Sequence, residues 1–132
     1  MKKIYLIIGI ILLLVIGWIF IRFVIGGSED DWIKDSRGVW IKHGAPAETP
    51  DYVLEQQQII DQALSLYEQR KSEGMEFSSQ CLGIVGNYAV DIVHVPRSGD
   101  DNKIENQCEA YRNGEVTHFI ELDKAGNIIR IV

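Results

Sequence analysis

The stretch Ile4–Ile25, IYLIIGIILLLVIGWIFIRFVI, decides the architecture. It carries no charged residue up to Ile21, and Arg22 is its single charge. At ~1.5 Å of rise per residue its 22 residues make a helix of roughly 33 Å, about the hydrocarbon thickness of a bilayer. Backbone groups in lipid must pair within their own segment, so the stretch is expected to form one transmembrane helix. The lipid bilayer, met through residues 4–25, is therefore the first expected partner.

Flanking charge sets the expected orientation. Lys2 and Lys3 precede the apolar run, and Glu29, Asp30 and Asp31 follow it. Basic residues near a helix end are retained in the cytoplasm, which places the N-terminus inside and the rest of the chain outside the cell membrane. Arg22 sits close to the far end, where a long side chain snorkels to the interface. Tyr5 at one end and Trp18, Phe20 and Phe23 at the other suit interfacial aromatic positions. A cleaved signal peptide is the competing reading, with Val24 and Gly26 forming a small-residue site before Gly27. The apolar run exceeds the roughly 7–15 residues of a signal-peptide core, so an uncleaved signal-anchor is expected.

Working outward, residues 26–132 suit one small domain with a single core. All 19 acidic residues lie there with ten of the 13 basic ones (Lys2, Lys3 and Arg22 being the rest), a net charge of −9. Such a surface repels phosphates, which argues against nucleic acid as a partner. Cys81 and Cys108 are the two cysteines of the chain. In an oxidising space they are expected to pair, stabilising the fold by about 3–4 kcal/mol on the chain-entropy view. The competing reading is a catalytic thiol with His94 or His118 as its base.

Gly26–Asp31 reads as a short acidic exit from the membrane. Two aromatic and β-branched runs, Trp32–Lys34 and Val39–Lys42, flank a turn with Gly38 at a positive-φ position, a β-hairpin pattern. Thr49 as N-cap and Pro50 at the first helical position open a long helix running to about Glu73. Val53, Ile60, Ala63, Leu64 and Tyr67 form its apolar stripe, Gly74 ends it, and the glutamines at 56–58 and 62 read as solvated surface. Period-two strands are expected at Gln80–Val85 and Tyr88–Val95 around Gly86-Asn87, with Cys81 opposite Ile92. Further strands are expected at Cys108–Arg112 and Glu115–Leu122 around Asn113-Gly114, and last at Ile128–Val132. Pro96–Gln107 reads as a polar loop.

The expected fold class is thus α+β: one transmembrane helix, then a long helix packed on a four- to five-stranded antiparallel sheet. The expected divisions are 1–25 for the cytoplasmic N-terminus and anchor, 26–48 for a linker with the tryptophan hairpin, and 49–132 for the extracytoplasmic domain.

The spacing Trp32…Gly38-Val39-Trp40-Ile41-Lys42-His43-Gly44-Ala45-Pro46…Pro50 resembles a W…GxW…HGxP element beside the anchor of small prokaryotic membrane proteins. It covers about twenty residues, and the resemblance implies an anchored, exported protein without implying an activity. The order of elements is similar to cystatin-like and peptidase-propeptide-like folds, which implies architecture alone.

Several constellations bear on chemistry. His94, His118 and Glu109 converge on one sheet face in the expected registers and are weak candidates for a zinc site. Asp100-Asp101-Asn102 with Glu105 is rich in oxygen ligands but lacks the alternating spacing of a calcium loop. Asp91, Glu121 and Asp123 are carboxylates on strands or at strand ends, with nothing in the sequence to bring two of them together. The chain holds no Gly-rich phosphate loop and no nucleophile elbow, so no cofactor and no catalytic residue is expected. Trp32, Trp40, His43 and Arg97 are the candidate binding residues, since exposed aromatics and arginine dominate hot spots. The leading expectation is a non-enzymatic binding or structural module for a protein, peptide or envelope component. The alternative is a membrane-surface enzyme or inhibitor using a cysteine with a histidine.

Overall fold

The computed structural model describes residues 2–25 and 30–132. Residues 26–29 of the expected acidic exit, with Gly26 and Gly27 of the cleavage site considered above, lie outside the described residues. The chain divides into two compact units, residues up to Ile33 with Ile41–Pro50, and Lys34–Trp40 with Asp51–Val132.

In the first unit, α1 (Lys2–Phe20) continues as a π-helical turn over Ile21–Ile25. Lys3–Val24 is long and apolar enough to cross a membrane, with a mean hydropathy of 3.1. Its large apolar side chains from Ile4 to Val24 are 45–70% exposed. The Arg22 guanidinium is paired with Asp30. The Trp32 indole Nε1–H donates to the Glu48 carbonyl at 3.0 Å.

Strands β1 (Asp31–Lys34) and β2 (Trp40–His43) form a two-stranded sheet, as the tryptophan echo predicts. The turn is built on Asp35, whose carboxylate accepts the N–H groups of Arg37 and Val39 at 2.9 and 3.0 Å. Gly38 takes φ +85°, and a Cβ there would lie 2.2 Å from the Ile131 carbonyl oxygen, so glycine is required twice over.

In the second unit, α2 (Asp51–Ser72) carries Asp51 in its first turn and Arg70 and Lys71 in its last, matching the helix dipole. It ends where Gly74 turns to φ +81°. The N–H of Met75 then reaches the Arg70 carbonyl and that of Gly74 the Lys71 carbonyl, both at 3.1 Å, the Schellman closure. Ala63 and Tyr67 from α2 pack into Leu82, Val90, Ile92, Ile120, Leu122 and Ile131 to form the core. The sheet is β3 (Gln80–Val85), β4 (Tyr88–Ile92), β5 (His118–Leu122) and β6 (Ile128–Ile131), in that spatial order.

Four expectations need correction. The sheet is mixed: β3–β4 and β5–β6 are antiparallel, but β4 and β5 run parallel. The reason lies at Asn113-Gly114, expected as a hairpin turn. Glu109–Arg112 is instead a short helix, α3, and Gly114 at φ +74° closes it as Gly74 closes α2. Glu115 N–H donates to the Ala110 carbonyl at 2.8 Å and Gly114 N–H to the Tyr111 carbonyl at 3.1 Å. With a helix in place of a strand, the connection from β4 to β5 becomes a crossover, which permits parallel pairing.

The second correction is one of register. The Gly86-Asn87 hairpin pairs Val85 with Tyr88 as expected, but a bulge between Cys81 and Gly83 shifts the far end. Cys81 therefore pairs with Asp91 rather than Ile92, and Leu82 turns into the core in its place. The third concerns Gln56, expected on solvated surface. It is 8% exposed, accepts the Trp40 N–H at 2.8 Å and donates to the Gly38 carbonyl at 2.9 Å, tying the turn to α2. Last, β4 ends at Ile92, so His94 and Val95 lie beyond it rather than on a strand.

Candidate functional site

Strand alternation divides the sheet into two unlike faces. Val90, Ile92, Ile120 and Leu122 face α2, so Ala89 and Asp91 of β4, and Phe119 and Glu121 of β5, face the other way. Parallel register sets Asp91 directly beside Glu121. Two carboxylates that the sequence left unrelated thus share one wall of a cleft of ≈ 180 Å³, with Arg97, Tyr111, Phe119 and Arg130 among its other walls.

Their environments push them apart. Glu121 is 6% exposed and accepts from both guanidinium groups, Arg97 Nη1 at 2.9 Å and Arg130 Nε and Nη2 at 3.2 Å. The Arg130 guanidinium also lies over the Phe119 ring at 4.8 Å. Asp91 has neither arginine as a hydrogen-bond partner. Burial pushes its carboxyl up to about 6; the Cys108 N–H pulls it down, the Glu121 charge pushes it up and Arg97 pulls it down. Asp91 Oδ1 lies 3.2 Å from Cys108 Sγ.

Cys81 and Cys108 form the expected disulfide, across 4.7 Å between Cα atoms. Cys81, Asp91 and Cys108 are the convergent set of potential metal ligands among the described residues. Two of those three are joined sulfur to sulfur, so the set offers no thiolate for a metal in this state.

His94, Ser98 and Asp101 bring together the residue types of a catalytic triad without its geometry. Asp101 Oδ1 lies 2.9 Å from His94 Nδ1, and Ser98 Oγ lies 3.1 Å from that same nitrogen. A triad needs the hydroxyl on the opposite ring nitrogen. The arrangement is a loop clamp: Asp101 accepts the Ser98 N–H at 2.6 Å and the His94 N–H at 3.1 Å. Burial opposes the Asp101 charge, but these donors together hold its carboxyl well below the ordinary range. Asp101, expected in a solvated polar loop, is 4% exposed and faces inward.

The second concave surface is a groove of ≈ 440 Å³ lined by Lys34, Trp40, Tyr52, Glu55, Ile59 and Tyr88, among others. The Trp40 and Tyr52 rings lie 4.7 Å apart at 51°, and the Lys34 ammonium sits 5.2 Å from the centre of the Trp40 ring. Burial, with the Glu55 charge, pushes the Tyr88 hydroxyl above its ordinary pKa.

The candidate residues therefore scatter. Trp40 lines the groove, and Arg97 lines the cleft, where it also donates to Asn102 Oδ1 at 3.1 Å. Trp32 and His43 belong to the first unit. The His118 ring lies tilted at 35° beside that of Tyr88, 4.9 Å between centres, His94 is clamped to Asp101, and Glu109 lies on α3 beside the disulfide. Tyr52 is the residue sequence reasoning missed as a site residue, and for Asp91, named among the strand carboxylates, it missed the pairing with Glu121. Tyr52 was legible as an exposed aromatic on α2; the Asp91–Glu121 pairing depended on the parallel β4–β5 register, and the placing of Cys81 against Asp91 on a bulge with no sequence signal other than Gly83.

No family model matches this chain, and neither a curated protein nor a solved structure matches it.

Proposed function

We propose that the chain is a single-pass membrane protein that displays a non-enzymatic binding module outside the cytoplasm. The Trp40 groove would receive a segment of a protein, peptide or envelope component. The observation that carries this reading is the groove itself, where aromatic rings remain partly open to solvent and a lysine ammonium already occupies one face. Aromatic anchors of this kind dominate binding energy at interfaces. The disulfide supports an oxidising location, the apolar helix supports the anchor, and the W…GxW…HGxP resemblance is consistent with both. The thiol-enzyme alternative has less support, since both sulfurs are joined, His94 is held by Asp101 and His118 lies beside Asn87.

The test is photo-crosslinking of the full-length chain in its membrane, with a photoreactive phenylalanine analogue at Tyr52 or at exposed Glu68. Adducts from position 52 and none from 68 support the groove. No adduct from 52, or equal adducts from both, overturns it.

A further inference from the structure

The Cys81–Cys108 disulfide is asymmetric in its surroundings. Both cysteines, with Ile84, Glu109, Ala110 and Glu115, line an open depression of ≈ 480 Å³, but they meet solvent unequally, and Cys81 is the partly exposed one. Cys108 is 1% exposed, and its sulfur lies 3.2 Å from the Asp91 carboxyl. Both arginines of the neighbouring cleft are committed to Glu121, which leaves Asp91 facing the sulfur with the Cys108 N–H as its hydrogen-bond donor.

Thiol–disulfide exchange needs a nucleophile in line with the bond and a stabilised leaving sulfur. An attack from solvent reaches Cys81 and drives the electron pair onto Cys108. A bare thiolate there would be buried beside carboxylates, so the bond breaks readily only if that sulfur is protonated as it leaves. The carboxyl that can supply the proton is already in contact with it.

We propose that the Cys81–Cys108 bond is a thiol-exchange site, opened by an alkyl thiolate at Cys81 while Asp91 protonates Cys108. The incoming sulfur forms a bond to Cys81 Sγ, and the Cys81–Cys108 bond breaks with its electron pair on Cys108 Sγ. That sulfur takes the Asp91 proton, giving a Cys108 thiol and an Asp91 carboxylate. A second thiolate of the same reductant then displaces Cys81 as thiolate, and the reductant leaves as its own disulfide. The co-reactant is a dithiol, or two monothiols, and is oxidised as the protein is reduced. Glu109 and Glu115 on the rim select a thiol flanked by positive charge. This reading stands apart from the Trp40 groove.

Protonated Asp91 is the competent form, so exchange per attacking thiolate slows as pH rises through the Asp91 titration near 6. Glu121 on β5 and Arg97 after β4 bear on that titration, and Arg130 on β6, Asp101 and Tyr111 line the same cleft.

The test follows reduction of the full-length protein in detergent by cysteamine and by 2-mercaptoethanesulfonate between pH 5 and pH 8, with acid quench, alkylation and mass mapping. Rates are expressed per thiolate. The native protein is expected to lose about a hundredfold in rate across that range, as the protonated fraction of Asp91 falls, and Asp91→Asn to run flat at or below the slow value. The trapped mixed disulfide is expected on Cys81. At low salt the ratio of cysteamine to sulfonate rates is expected to fall about threefold in the Glu109→Gln/Glu115→Gln protein, whose intact Asp91 guards against misfolding as the explanation. An Asp91→Asn profile equal to the native one overturns the proposal. So does a mixed disulfide on Cys108, or a reduction rate equal to that of global unfolding.

Discussion

The two faces of the four-stranded sheet differ in kind. The face under α2 is dry and apolar, built from Val90, Ile92, Ile120 and Leu122, none more than 1% exposed. The opposite face carries a carboxylate held by two arginines, a second carboxyl held by none, and a disulfide. Apolar area stabilises the first without regard to direction. The second stands only if each polar group finds its partner, so it is the face that specifies geometry and can carry chemistry.

Four perturbations would break or sharpen that contrast. The largest effect is expected on the dry face. Leu122→Ala should cost about 2–5 kcal/mol through lost burial and a residual cavity, read by urea unfolding of the detergent-solubilised protein. A smaller loss would mean that α2 collapses onto the gap. On the polar face, Cys81→Ala with Cys108→Ala should cost about 3–4 kcal/mol, since closing a loop of 27 residues' separation restricts the unfolded chain. A loss under 1 kcal/mol would show that α3 is held by packing alone.

The third is a pH dependence of unusual sign. Asp91 is raised from 3.8 to about 6, so the folded state favours its protonated form. Its contribution is full below its unfolded pKa and is lost as pH rises toward about 6, a fall of about 3 kcal/mol that is then complete. Asp101 works oppositely, adding stability above its unfolded pKa and losing it on acidification. Stability measured from pH 3.5 to pH 7 in native and Asp91→Asn proteins isolates the first: the substituted protein should lack the fall, and parallel curves would remove Asp91 as its source. The smallest effect belongs to the groove. Tyr52→Ala, at a side chain 45% exposed, should change stability by under ~0.5 kcal/mol while abolishing any groove-dependent crosslink from neighbouring positions.

Much of the scaffold was legible. The apolar helix, α2 with its Gly74 stop, the Gly38 hairpin and the Gly86-Asn87 turn all follow from local period and from glycine's access to positive φ. The disulfide was expected from two cysteines in a small acidic domain that follows an apolar helix long enough to cross a membrane. The candidate sites were much less so, because Trp40 and Arg97 were chosen as exposed residue types, and Arg97 proves to be tied to Glu121. Gln56 read as surface because an amide shows its value only when backbone groups are there to receive it.

Sequence by itself determined the elements whose causes lie within a few residues: helix length, strand period, turn glycines, and the count of thiols and charges. Tertiary structure alone decided that Asn113-Gly114 caps a helix instead of turning a hairpin, and hence that β4 and β5 run parallel with Asp91 beside Glu121. It also decided the bulge that sets Cys81 against Asp91. The same glycine conformation serves a cap and a turn, and a one-residue slip exchanges the faces of a strand. Which outcome prevails depends on what the flanking segment buries, and that is set by residues distant in the chain.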